Sequence, residues 1–292
     1  MNILTFDIEE WGLAKAGGYG TQDLYAKYDK CLEQIFDLLE QHNIKATFFC
    51  TGAMAVEYPE VVNKISMKGY EIGCHSYSHL WLNRMTYKEC NEDISSAIKA
   101  LEDCIGKKVT AFRAPAFSIG EENLWVFDIL ADNGITTDSS IFPAKRDFGG
   151  FPSFQAKSPC LINHNGILIK EFPIGLVKLF GKDLAYSGGG YFRFLPKYYI
   201  RRCVATSAYT MGYFHVNDFI KNRTKLYTKE EIEMFYKIPG TMKNRFVRYL
   251  KSTIGKDNMW SKLSDVLDSN AFTDINSADN GIHWVSAPVI NL

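Results

Sequence analysis

The chain has 292 residues, 46% hydrophobic and 23% charged, with 33 Lys+Arg against 33 Asp+Glu. This is the composition of a folded chain and excludes an intrinsically disordered one. The balanced total leaves no global basic field to argue for nucleic acid or an anionic membrane as partner, and no apolar run reaches membrane-spanning length.

Residues 2–7 (NILTFD) read as a buried strand, followed at once by Glu9 and Glu10. Residues 24–42 place Leu24, Tyr28, Leu32, Ile35, Leu38 and Leu39 at helical spacing. KATFFC (45–50) is the next strand, and Pro59 suits the first turn of a helix that Gly69 stops. YEIGCH (70–75) is a third strand. Thr86 with Glu89 is a capping-box pattern opening a helix to about Ile105. VTAFRAP (109–115), a helix over 122–134 and ITTDSS (135–140) follow, and then an irregular, aromatic-rich stretch over 141–165. Further strands are predicted at 167–173 and 209–216, with a helix over about 196–206 between them. AYSGGGYFRF (185–194) follows neither the P-loop nor the dinucleotide pattern and reads as a close turn beside a pocket. Thr228 with Glu231 opens a helical C-terminal extension. The alternation predicts parallel strands with crossover helices, an open α/β sheet or a β/α barrel, in one domain over residues 1–292.

Seven cysteines (31, 50, 74, 90, 104, 160 and 203) are odd in number and form no CxxC pair, so they read as reduced, buried thiols. The first strand begins almost at Met1, with no basic-then-apolar leader ahead of it. Both point to a cytoplasmic protein.

Active sites of parallel α/β folds gather at the C-terminal ends of the strands. The residues at those ends are Asp7, Glu9 and Glu10, then His75 and His79 in HSYSH, Arg113, Asp138 and His215. His-x-x-x-His is a metal-ligand spacing. Asp7 and Glu9 fall on one side of an extended strand, with Glu10 on the other. Two histidines and one carboxylate leave positions open on a divalent cation, which is a catalytic ligand set. A second carboxylate can take a proton from water, a guanidinium can orient that carboxylate, and a histidine across the mouth can protonate a leaving group. The assembled chemistry is metal-assisted hydrolysis of an amide or ester. The ligand set suits zinc first, with cobalt or nickel as alternatives.

On these motifs the chain resembles the polysaccharide deacetylase family, the NodB-homology carbohydrate esterases. TFDIEEW departs from the family's Thr-Phe-Asp-Asp-Gly and is similar to an Asp-x-Glu/Asp variant. HSYSH matches its His-Ser/Thr-x-x-His, FRAPAF its Arg-x-Pro, TDSS its fourth motif, and YFH its Leu-x-His, with Tyr213 in place of Leu. GGGYFRFLP (188–196), GYFHVNDF (212–219) and the tail LKSTIGKDNMWSKLSDVL resemble a subgroup associated with exopolysaccharide and surface-glycan assembly.

The resemblance implies a distorted (β/α) barrel of about seven parallel strands that removes N-acetyl groups from amino sugars of a glycan or glycan precursor. It implies Asp7 as base, Glu9 or Glu10 with His75 and His79 as ligands, and Arg113 as the holder of Asp7. His215 becomes the general acid with Asp138 as its partner, and a backbone N–H near Ala116 or Phe117 meets the oxyanion. Trp11, Tyr77, Phe117 and Tyr191 are candidates for stacking on sugar rings. The alternatives are a hydrolase of another small amide and a catalytically silent glycan-binding protein.

Overall fold

β1 (Asn2–Ile8) is flanked by parallel strands on both sides and is fully buried along most of its length. The computed structural model describes residues 1–9, 22–146, 149–179, 181–220, 226–236 and 238–292. After β1 come α1 (Gln22–Gln41), β2 (Thr47–Cys50), α2 (Gly52–Glu57), α3 (Pro59–Met67), β3 (Glu71–Cys74), α4 (Tyr87–Ile105), β4 (Ala111–Phe112), α5 (Val126–Asp132) and β5 (Thr137–Asp138). Four strands follow, β6 (Cys160–His164), β7 (Ile167–Glu171), β8 (Val177–Leu179) and β9 (Lys182–Leu184). The remainder is α6 (Gly189–Phe194), α7 (Lys197–Thr206), β10 (Thr210–His215), α8 (Lys229–Tyr236), α9 (Met242–Thr253), α10 (Met259–Ser269), α11 (Ile275–Gly281) and β11 (Val289–Asn291).

The main sheet has the order β10-β1-β2-β3-β4-β5-β7-β6-β11. The seven strands from β10 to β7 are mutually parallel, as expected for a distorted (β/α) barrel. Among the described residues no ladder joins β7 to β10. That side is filled instead by the Tyr209 hydroxyl donating to Pro173 O (2.8 Å) and by the segment before α6, whose Ser187 O accepts the Tyr213 N–H (3.1 Å). A gap closed by side chains and an irregular segment accounts for the distortion.

Alternation along β1 explains the two apolar layers. Leu4, Phe6 and Ile8 point to the helices and join Phe48, Phe112 and Phe214 in one cluster. Ile3 points to the other face with Phe49, Ala111, Met211 and Tyr213, in a second cluster plugged by Ile275 and Ala278 of α11. Side chains alternate with period two, so Thr5, Asp7 and Glu9 continue the inner row above Ile3. The inner cluster thus ends in polar groups at the C-terminal rim.

The capping box at Thr86–Glu89 forms as predicted, with Gly106 in the left-handed region closing α4. The stretch expected to be irregular contains β6. It pairs antiparallel with β7 across Asn165-Gly166, both at positive φ (52° and 84°). Asn-Gly between two apolar runs is a hairpin signal, and the strand–helix alternation masked it. The short α2 and the edge strand β11 were also not foreseen.

Candidate active site

Strand register brings the candidate residues to one level. Asp7 and His215 are Cα partners in the β1–β10 ladder. Cys74 pairs with Phe112, and Phe112 with Asp138. His75, Arg113 and Ser139 therefore follow side by side one residue beyond their strands, and the bonds Arg113 N→Cys74 O and Ser139 N→Phe112 O (both 2.9 Å) fix them there.

Arg113 is fully buried. Its Nη1 donates to Asp7 Oδ1 (2.9 Å) and to Thr5 Oγ1 (2.7 Å), its Nη2 to Ser139 Oγ (2.9 Å) and its Nε to Ser139 O (3.2 Å). Its guanidinium also stacks 4.3 Å above the Phe49 ring. A buried charge is tolerated only when paired and hydrogen-bonded, and here every contact also fixes the orientation of Asp7. The second oxygen, Asp7 Oδ2, lies 3.7 Å from His215 Nε2.

Glu9, His75 and His79 bring one ligand atom each within 4.8 Å of one another. The His75 Nδ1 lies 2.7 Å from Arg113 O. A carbonyl only accepts, so Nδ1 carries the proton and Nε2 keeps its lone pair for the Glu9 side. Burial, against the charges of Asp7 and Glu9, pushes the His75 pKa down to about 4, so the ring is neutral at pH 7 as a ligand must be. Glu9 is buried, yet the imidazoles of His79, His215 and His75 hold it well below the usual carboxylate range. Its Oε2 is inaccessible, makes no hydrogen bond of normal geometry, and abuts His79 Nε2. A buried anionic oxygen and two imidazole nitrogens directed at one point are the donor set a divalent cation takes, and the residues fit it.

The loop carrying the histidines is held by a residue that sequence reasoning missed. Asp93 of α4 accepts the N–H groups of Tyr77 (2.7 Å) and Ser78 (3.2 Å) and the Ser78 hydroxyl (2.5 Å). Ser76 and His79 both adopt positive φ (62° and 55°). Non-glycine residues adopt this region seldom. Ala116 and Phe117, in the turn after Arg113, share this feature (both 55°). The Phe117 N–H is already donated to Ala114 O (3.1 Å), so of the two backbone donors expected there, Ala116 is the candidate.

One expectation is corrected. Asp138 is not the partner of His215. Its Cα partner is Glu171, and the two buried carboxyls form a hydrogen-bonded pair behind Ser139. Burial pushes Asp138 up to about 6 and Glu171 well above its usual range, because two adjacent carboxyls cannot both ionise in an apolar wall. Asp218 takes the position expected of Asp138, with Oδ2 3.3 Å from His215 Nδ1, and Arg193 Nη1 lies 3.9 Å from its other oxygen. Burial disfavours the imidazolium, but the Asp218 bond and the charges of Glu9, Asp218 and Asp7 push His215 up to about 10.

The Gly-rich stretch now has a physical reason. A Cβ on Gly188 would sit 1.9 Å from the Tyr213 ring, and one on Gly189 would sit 2.1 Å from Asp218 Oδ2. Of the stacking candidates, Tyr77 packs against Gly52 and the outer cluster. Phe117 is buried edge-on to Tyr213 (5.2 Å). Tyr191 on α6 is exposed. Trp11 and the alternative ligand Glu10 lie outside the described residues.

A mouth at the C-terminal ends of parallel strands, with a His-His-carboxylate cluster beside a buried Asp–Arg pair, belongs to the NodB-like class of distorted (β/α) barrels. Residues 3–137 match the model of the polysaccharide deacetylase family, and residues 139–278 match a domain of unknown function (DUF3473). A candidate polysaccharide deacetylase from Mycobacterium smegmatis shares the fold, with a TM-score of 0.63 at 15% identity over 100% of this chain and 92% of that one. A carbohydrate esterase family 4 pseudoenzyme from Bacillus anthracis follows at a TM-score of 0.50 and 14% identity, over 95% of this chain and 64% of that one. In sequence, the chain is 28% identical to a Bacillus cereus peptidoglycan-N-acetylglucosamine deacetylase over 45% of its length and 54% of that protein. It is 27% identical to a chitooligosaccharide deacetylase from Bradyrhizobium sp. over 38% of its length and 51% of that protein. The alignments thus span about half the length of these curated relatives.

Proposed function

We propose that this chain is a metal-dependent N-deacetylase that hydrolyses the acetamide of an amino sugar to a free amine and acetate. The observation that carries the reading is Asp7, held on one oxygen by Arg113 and facing His215 with the other, directly beside the Glu9–His75–His79 cluster. Glu9, His75 and His79 would hold a divalent cation, which would supply Lewis acidity toward an amide oxygen and make water more acidic. Asp7 then takes the proton of the attacking water. In this reading the Ala116 N–H meets the developing oxyanion. His215, kept as imidazolium by Asp218, gives its proton to the departing nitrogen, and C–N cleavage leaves acetate and the amine.

The substrate we favour is a biosynthetic glycan or carrier-linked precursor met in the cytoplasm. The seven cysteines are free and six of them buried, which supports a reducing compartment, and the likeness of the second half to a surface-glycan subgroup supports the substrate class. Zinc is the expected ion, with cobalt or nickel as substitutes. The test is acetate release from N-acetylglucosamine oligomers with added Zn²⁺, Co²⁺ or Ni²⁺. Release that chelation abolishes and metal restores is the expected outcome. Turnover undiminished by chelator or by Asp7→Asn would refute the mechanism.

A further inference from the structure

The balanced total charge conceals a strong local asymmetry. Residues 184–256 carry fourteen Lys/Arg against four Asp/Glu, a net charge of +10 in a chain whose sum is zero. Such an imbalance between segments points to a polyanionic partner.

Within this segment α9 is unusual in its packing. It carries Lys243, Arg245, Arg248 and Lys251 with no acidic residue, and none of its side chains is buried. Met242, Phe246 and Val247 are 63%, 50% and 38% exposed, and Ile254, just past the helix, is 42% exposed. Positions 242/243, 246/247, 250/251 and 254 follow one another along a single face at helical spacing. That face carries apolar side chains outward, with Lys243 and Lys251 interleaved. A helix stabilised by a core turns its apolar face inward; this one presents it to whatever lies outside.

The helix also adjoins the mouth. Arg193 Nη2 donates to Lys251 O at the C-terminal end of α9 (2.6 Å), and Arg193 Nη1 lies 3.9 Å from Asp218, the partner of His215. A single side chain therefore separates the end of α9 from the rim of the site. Tyr191 and Phe194 of α6 and Tyr198 of α7 are exposed as well.

We propose that α9 docks this protein on an anionic membrane surface, with the mouth of the barrel close to the plane of the headgroups. Interleaved cations and outward apolar residues are what such a surface selects, since lysines meet anionic headgroups while Phe246 and Val247 enter the acyl boundary. An acidic polymer would use the cations and gain nothing from the apolar ridge. The docking goes beyond the proposed reaction and would bring the site to substrates carried on lipid.

The experiment is co-sedimentation of the full chain with vesicles of phosphatidylcholine alone and of equal parts phosphatidylcholine and phosphatidylglycerol. Binding is expected only to the anionic vesicles and is expected to fall as salt is raised. Lys243→Glu and Phe246→Ser should each weaken partitioning about tenfold, with circular dichroism, melting and acetate release from soluble oligomers unchanged. Absence of preference for anionic vesicles, or wild-type binding by both variants, overturns the proposal. Binding to heparin that matches vesicle binding and is indifferent to Phe246→Ser assigns the face to a soluble polyanion and also overturns it. The vesicle measurement is independent of catalysis, so binding without acetate release would refute the proposed reaction and support the surface.

Discussion

Asp218 Oδ2 lies 3.3 Å from His215 Nδ1 and also accepts the His215 backbone N–H at 2.9 Å. The turn at Val216–Asp218 brings the carboxylate back under the ring three residues on. Gly189, with no side chain, lets α6 pack directly against that carboxylate, and Arg193 approaches its other oxygen. The imidazolium is thereby favoured on the side away from Asp7.

Asp218→Asn should lower the His215 pKa from about 10 toward the unperturbed ~6.5. Imidazole resonances titrated by NMR in chelator-treated protein read this directly. At pH 8 kcat should fall on the order of tenfold to a hundredfold with little change in KM, and Asp138→Asn should leave the His215 titration in place. The folded pKa is the raised one, so the pair's stabilisation is complete below about 6.5 and is lost as pH climbs toward about 10. An unmoved His215 titration in Asp218→Asn would remove Asp218 from this role.

Asp7→Asn keeps a hydrogen-bond acceptor for Arg113 and should retain the fold while losing turnover by about 10²–10⁴-fold. Arg113→Met is expected to behave differently. It leaves Asp7 buried without its cation, and removal of one partner from such a pair costs about 3–5 kcal/mol. Melting temperature separates the two variants: near wild type for the first, clearly lowered for the second.

His79→Ala removes one of three donors. Equilibrium dialysis followed by elemental analysis should show zinc content falling from about one ion per chain to near zero. Chelation should lower the melting temperature of wild type and leave that of His79→Ala unchanged, because a bound ion stabilises only the state that binds it. Equal zinc content in the two proteins would overturn the ligand set.

The Asp138–Glu171 pair sets a further pH dependence. Burial raises both folded pKa values, Asp138 to about 6. Stability from the protonated pair is therefore complete below the unfolded carboxylate range of ~4 and declines as pH rises through about 6. Glu171→Gln keeps an acceptor for the Ile141 N–H, bonded at 3.1 Å in the native chain, and removes one ionisation. Its melting temperature should fall less than that of wild type between pH 5 and pH 8. Parallel melting curves for the two proteins would show that the pair does not couple to stability.

Much of the mouth was legible before any coordinates. Asp7 and Glu9 share a face because a strand has a period of two, and the register confirms that His75, Arg113 and His215 stand at strand ends. The Asn165-Gly166 hairpin was equally readable and was passed over. The Asp93 clamp was not: a single aspartate beside the buried face of a helix carries no pattern, and its bonds to Tyr77 and Ser78 arise only when α4 packs beside the loop.

Periodicity, caps and turn chemistry are local properties, so residue order alone specified the alternating elements, the parallel α/β class and the chemical character of its rim. Which carboxylate serves which partner depends on strand register and on the path the chain takes after each strand, neither of which the residue pattern states. Packing assigned Asp138 to Glu171 and Asp218 to His215, because the first pair are register neighbours on adjacent strands and the second meet across a single tight turn. The outward apolar face of α9 was settled the same way: its composition was visible from the start, but only the packing of the surrounding helices determined which side faces out.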